Sequence, residues 1–251
     1  MKNPEPRLLT HAQWRRRTLL SFAAFLLMLG GIWLLFRWIG RQPDRDGTPA
    51  PLRSALQTNE KIFSKFYDSG KLARSYPLSA ALRNPRVNGR LGTRGPVDPA
   101  NWHLSVVRAP GDTLRLTLDD IKALPKKEIV FDFKCIEGWS QVTHWGGVSL
   151  KTFLEHYGLK QKEKLRYVGL ETPDGGYYVG IDMPSALHPQ TLLCYEMNGA
   201  PLSSDHGAPL RLIIPVKYGI KHLKRIGTLF FSNTPPRDYW AERGYDYYSG
   251  H

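Results

Sequence analysis

The chain has 251 residues, 41% of them hydrophobic and 23% charged, a composition ordinary for a folded protein and a length that can bury one substantial core. Its formal charge of +13 does not point to nucleic acid. The first forty residues supply five of those net charges (Lys2, Arg7, Arg15, Arg16, Arg17 and Arg37 against Glu5), and the remaining +8 shows no zinc-finger spacing, basic helix or aromatic-and-basic RNA-binding signature.

Residues 18–36, TLLSFAAFLLMLGGIWLLF, run without a charge. At 1.5 Å per residue such a stretch spans about 28 Å, the hydrocarbon thickness of a bilayer, so one transmembrane helix is predicted over 18–39. Three arginines precede it, whereas Arg41 and Arg45 behind it are mixed with Asp44 and Asp46. The positive-inside bias therefore places a basic segment, 1–17, in the cytoplasm and everything after residue 40 outside. Arg15-Arg16-Arg17-Thr-Leu-Leu also resembles a twin-arginine export signal, and no small-x-small cleavage site follows, so a retained anchor is expected. The alternative is three arginines that serve only as a topology signal. In a bacterial cell this organisation means a single pass through the inner membrane with the remaining chain in the periplasm.

Residues 40–58, with Pro43, Gly47, Pro49 and Pro51 among polar residues, read as a linker, and the main domain is expected over 59–251. Its opening stretch, to about residue 100, is rich in Arg, Asn, Gly and Pro, as suits loops that wrap a surface and contribute ligand contacts. Runs rich in Val, Ile, Leu, Phe and Tyr predict strands at 102–109, 114–118, 129–135, 165–172, 191–197, 210–216 and 227–232. Two short helices interrupt them: LTLDDIKALP, capped by Thr117 or Asp119 and stopped by Pro125, and SLKTFLEHYG, capped by Ser149 and ended by Gly158. The mixture is α+β. No glycine-rich loop follows a strand, so a doubly wound dinucleotide-binding fold is not expected.

The chain has two cysteines, which excludes a disulfide framework. Cys194 lies inside the apolar run TLLCYEM, the setting of a core thiol. Cys135 ends a strand beside Lys134 and before a turn at Gly138. A thiol at a strand end next to a cation can be held as thiolate, the form that binds soft metals or attacks electrophiles.

The residues downstream of this cysteine carry more weight. CIEGWS at 135–140, Trp145-Gly-Gly-Val-Ser-Leu, Asn198-Gly, His206-Gly-x-Pro-x-Arg211 and Pro-x-Lys-Tyr-Gly-x-Lys-x-x-Lys ending at Lys224 occur in that order. Together they resemble the sulfite oxidase superfamily of molybdopterin-dependent oxidoreductases, and within it the bacterial periplasmic branch that includes the catalytic subunit of the methionine sulfoxide reductase system. The likeness covers roughly residues 85–248 and is loosest before residue 102.

The resemblance implies an α+β fold, a mixed β-sheet sulfite-oxidase-type molybdopterin-binding domain behind one N-terminal transmembrane helix. It implies that Cys135 is the catalytic centre and sole protein ligand of a mononuclear molybdenum carried by molybdopterin, a role that suits a soft thiolate. Family positions that hold the cofactor match His206, Arg211, His222, Leu223 and Lys224, with Thr172 as a further contact after GLET. Asn88 and Arg90 match a loop that contacts the cofactor in relatives. Arg and Lys among these would answer the pterin phosphate.

The implied reaction is oxygen-atom transfer to or from a small S-oxide, N-oxide or sulfite-type substrate, with protein methionine sulfoxide among the candidates. Sulfite oxidases surround an anionic substrate with several arginines and a nearby tyrosine, and the first pair of those arginines has no clear counterpart here. The closing segment DYWAERGYDYY is similar to the superfamily's C-terminal end, whose aromatic residues pack near the site or present a docking face. No CxxCH haem-attachment motif occurs, so electrons are expected to pass through a membrane haem protein or a periplasmic cytochrome. Two other readings remain. One is a non-catalytic accessory or binding subunit of a membrane respiratory complex. The other is a thiol enzyme with Cys135 as nucleophile and His144 as its base.

Overall fold

The computed structural model describes residues 10–66, 70–95 and 97–250, which form two compact units divided between Ala55 and Leu56. The first nine residues of the basic N-terminal segment lie outside the described residues.

In the first unit, helix α1 (His11–Ile39) begins well before the predicted apolar span and takes the three arginines into the helix. Nothing in HAQWRRR breaks a helix, and Thr10 and Gln13 form a reciprocal capping box that starts it. Strands β1 (Asp44–Arg45) and β2 (Thr48–Pro49) follow as a tight hairpin whose corner, Asp46 and Gly47, has φ of 53° and 70°. Two successive left-handed residues match the strand twist across a two-residue loop. Next comes α2 (Ala50–Phe63), whose Arg53 donates to the carbonyls of Arg45 at 3.3 Å and Asp46 at 2.6 Å. The linker expected over 40–58 is therefore corrected to an ordered hairpin and the start of a 14-residue helix. Pro51 sits in the first helical turn, where its missing N–H costs nothing, so it opens the helix instead of breaking it.

From Leu56 onward the chain folds around two sheets. Its elements are β3 (Leu104–Ala109), β4 (Asp112–Leu116), α3 (Leu118–Lys122), β5 (Lys127–Lys134), β6 (Ser140–Ser149), α4 (Leu150–His156), β7 (Tyr167–Glu171), β8 (Tyr178–Asp182), α5 (Met183–Ala186), β9 (Leu192–Met197), β10 (Ala200–Pro201), β11 (Arg211–Ile213) and β12 (Thr228–Ser232). One sheet is antiparallel, in the order β10-β9-β6-β5 with β11 on β9. The other runs β4-β3-β12-β7-β8 and is mixed, because β12 lies parallel to β3 and antiparallel to β7. This is the α+β class with a mixed sheet that the sequence implies.

All seven predicted strands are present, and β6, β8 and the two-residue β1, β2 and β10 fall outside the predicted set. In β6 the two glycines of Trp145-Gly-Gly-Val sit at a bulge against β9, where a side-chain carbon on Gly147 would come 2.2 Å from the Leu193 carbonyl oxygen. Glycine here marks close strand approach, not a turn. Both predicted helices form. Thr117 and Asp120 make a capping box on α3, and Gly158, at φ 67°, follows α4, although Ser149 makes no side-chain cap bond.

The larger core joins Leu104, Val106, Phe153, Leu154, Leu170 and Leu212, and a second gathers Phe131, Phe133, Trp145, Cys194 and Ile213. Cys194 is fully buried there, as its apolar run suggests. After β11 the chain turns back at the end of β5. Leu212 donates to the Leu223 carbonyl at 2.9 Å and Ile226 to that of Leu210 at 2.8 Å, which lays the HGAPLR and HLKRI segments side by side.

Candidate active site

Cys135 follows β5, where side chains alternate between faces. Phe131, Phe133 and Cys135 are buried, while Lys134 is exposed and lines a separate cavity with Asp132. A turn closes after the thiol: Gly138 N–H donates to the Cys135 carbonyl at 3.1 Å, Cys135 N–H donates to that of Trp139 at 2.9 Å, and Gly138 takes φ 88°. The thiol faces a cavity walled by Asn88, Tyr177, His222, Lys224, Trp240 and Tyr245.

Burial pushes the Cys135 thiol above its ordinary pKa, against smaller opposing effects from the backbone N–H groups of Glu137 and Ile136 and the charge of Arg86. The expectation of a thiolate held by Lys134 is thus corrected, since strand alternation turns that cation to the other face. His144 pairs across the sheet with Val130, five residues before Cys135, and its Nε2 lies 3.4 Å from a Glu128 carboxylate oxygen. Five strand residues are roughly 16 Å, so His144 is not the base of a thiol dyad.

Behind the thiol, cations gather. Arg211 is fully buried, donates to the carbonyls of His206 at 2.9 Å and His222 at 3.4 Å, and stacks over Trp145 at 4.6 Å. Its Nε has no hydrogen-bond partner among the described residues. His206 ends a short turn capped by Ser203, and burial, then the charges of Arg211 and Lys224, push it down to about 4. Lys224 donates to the carbonyls of Gly89 at 2.8 Å and Asp205 at 2.7 Å, and burial beside Arg211 pushes it down to about 7. Arg225 ties the same loops together through the carbonyls of Arg94, Gly95 and Ala208 and the hydroxyl of Ser204.

Of the residues expected to form the site, Asn88, Cys135, His222 and Lys224 meet in one cavity, and Asn88 also reaches the Gly219 carbonyl at 3.4 Å. The His222 ring packs 4.8 Å from that of Phe133. His206 and Arg211 stand behind Lys224. Arg90 and Thr172 do not line the cavity: Arg90 is exposed, and the Thr172 hydroxyl donates to Asp174 at 2.5 Å and accepts from Tyr177 N–H at 3.1 Å. The Leu223 side chain belongs to the larger core, leaving only its backbone near the site.

Sequence reasoning missed Tyr177, whose hydroxyl donates to the Ile220 carbonyl and is kept protonated by burial. Its only local signal is a place just after a Pro-Asp-Gly-Gly turn. Trp240 and Tyr245 come from the aromatic C-terminal segment but were not singled out.

Among the described residues no cluster of three or more His, Cys, Asp or Glu side chains could hold a metal ion. A metal at Cys135 would take its other ligands from a cofactor. The cationic group of Arg211, with its orphaned Nε, and Lys224 fits an anionic tail of that cofactor.

A thiol facing a cavity, and cations with little acid to answer them, carried on two sheets, define a domain built to hold an anionic metal cofactor for redox chemistry. The oxidoreductase molybdopterin binding domain profile matches residues 91–240, and the chain belongs to that family, the sulfite oxidase family its motifs resemble. It is a molybdopterin-dependent oxidoreductase, with molybdenum-molybdopterin as cofactor. The YedZ1 protein of Azospira oryzae, provisionally named as a protein-methionine-sulfoxide reductase subunit, is 35% identical over 209 residues, covering 82% of this chain and 79% of that one. The protein-methionine-sulfoxide reductase catalytic subunit MsrP of Xanthomonas campestris is 28% identical over 78% of this chain and 63% of its own length. The mitochondrial sulfite oxidase of Rattus norvegicus is 31% identical over 61% and 33% respectively. The chain thus spans less than two thirds of the last two relatives.

Proposed function

We propose that the chain is a membrane-anchored periplasmic reductase of uncharged S-oxides, with methionine sulfoxide in proteins as the principal substrate. The observation that carries this reading is the charge balance at the cavity. Arg86 lies 3.6 Å from Glu137 and stacks over Trp139, and Lys224 stands with Arg211 on the side assigned to the pterin phosphate, so in this reading neither cation is left to pair with a substrate anion such as sulfite. An uncharged S=O group needs only hydrogen-bond donors. Relatives named as methionine-sulfoxide reductases support the same choice.

In this reading Cys135 ligates molybdenum. Its raised pKa keeps the proton on the thiol until a metal displaces it. His206, Arg211 and Lys224 hold the pterin phosphate. Asn88, His222 and the Leu223 backbone flank the cofactor, while Thr172 and Arg90 support it through the loops they brace. When bound, the cofactor supplies a two-electron couple that exchanges an oxygen atom with substrate. Tyr177 holds its proton on the cavity wall, where turning from the Ile220 carbonyl would give the substrate oxygen a donor. Electrons come from a second protein, a membrane haem protein or a periplasmic cytochrome, and α1 keeps the chain at the membrane where such a donor sits.

Molybdenum analysis, pterin fluorescence and dye-linked reduction of methionine sulfoxide test this directly. We expect close to one molybdenum per chain, and in Cys135→Ser a retained fold with turnover lost. Full turnover in that variant would sink the ligand assignment, and faster turnover of sulfite than of S-oxide would sink the substrate.

A further inference from the structure

Large hydrophobic side chains exposed in the unit that begins at Leu56 come from two places. Ile62, Phe66, Leu72, Leu78 and Leu82 lie in its opening segment. After residue 82, Ile136 at 36% and Tyr245 at 39% exposure are the only two among the described residues, and both line the Cys135 cavity. Single exposed apolar side chains are ordinary on a globular surface, but these two line one cavity, where a ligand can cover both.

Both are held in place. Ile136 lies inside the turn that joins Cys135 to Gly138. Tyr245 packs edge-on to Trp240 at 5.1 Å, and Trp240 in turn to Tyr239 at 5.3 Å. This aromatic wall is fixed by Asp238, which is buried, accepts from Ala241 N–H at 3.0 Å and Gly180 N–H at 3.2 Å, and pairs with buried Lys221. A wall fixed before binding spares a ligand the cost of ordering it.

We infer that Ile136 and Tyr245 form an apolar bracket that determines specificity, taking the methylene arm and adjoining backbone of a methionine S-oxide within a polypeptide. The inference rests on the S-oxide reading above. An S-oxide head directed at the metal that Cys135 would hold leaves its two methylenes toward the rim, where an isoleucine and an amphipathic aromatic ring line the same cavity. Dimethyl sulfoxide has the same head and no arm to lay there. The bracket therefore adds binding for the peptide and none for the small S-oxide.

The test uses the full, molybdenum-loaded chain, with kcat/KM measured for a peptide carrying one methionine sulfoxide and for dimethyl sulfoxide. The wild type should favour the peptide, and Ile136→Ser and Tyr245→Ser should each lower the peptide-to-dimethyl-sulfoxide ratio by about tenfold, mainly through KM, as expected for lost apolar contact. Molybdenum content should stay at the wild-type level. Turnover of both substrates with an unchanged ratio would overturn the bracket alone, as would a loss of molybdenum, which would make these side chains part of the cofactor wall. Wild-type protein that reduces neither S-oxide would overturn the reductase reading and the bracket with it.

Discussion

Lys224 and His206 carry charge at a cost, because each is buried beside Arg211. The folded pKa of Lys224 is about 7 against an ordinary 10.5, and that of His206 about 4 against 6.5. Between each folded value and its unfolded one the unfolded chain binds more protons, so stability rises with pH across those windows. Lys217, pushed down to about 8 by burial, acts in the same direction. The cofactor-free protein should therefore melt at a higher temperature at pH 8.5 than at pH 7, and Lys224→Met should remove part of that rise. A profile equally steep in the variant would mean that Lys224 is better solvated than its surroundings indicate. At this scale the sequence singled out Cys135 and the basic residues that cluster after it. It could not show that Lys134 faces away, because the direction of a side chain at a strand end depends on which face the sheet buries.

Elements with a simple apolar pattern were legible, and those built on glycine or on a clamp were not. Strand β6 reads as a polar segment broken by two glycines, yet it is buried along most of its length because Gly147 lets β9 approach. Gly147→Ala should destabilise the protein by about 1–3 kcal/mol, the usual cost of overpacking, since the obstructing atoms are backbone. Gly146→Ala should cost less. Its new methyl would meet a Glu196 oxygen and a Lys126 carbon at 3.0 Å, both ends of flexible side chains. Equal shifts in the denaturant midpoints of the two variants would contradict this account. Helix α2 escaped notice for a related reason: its prolines suggest a linker until Arg53 is seen to clamp the preceding hairpin.

At the scale of the molecule, α1 is long and apolar enough to cross a bilayer and buries none of its described side chains. The unit beginning at Leu56 has its own two-sheet core. We expect the full chain to resist alkaline carbonate extraction from membranes. Removing residues 1–40 behind a cleavable export signal should release it to the soluble fraction with molybdenum content unchanged. Extraction of the full chain would show that α1 is not an anchor.

The sequence by itself determined the apolar span, seven of the strands, the Thr117 cap and the motifs that identify the family, because each is written in neighbouring residues as a period, a cap or a spacing. Only the tertiary structure decided which cations stand behind the thiol, that His144 is remote from it, and that Tyr177, Trp240 and Tyr245 wall the cavity. Those facts depend on contacts between residues tens of positions apart, whose geometry is set by how two sheets bury their faces and not by any local preference of the chain.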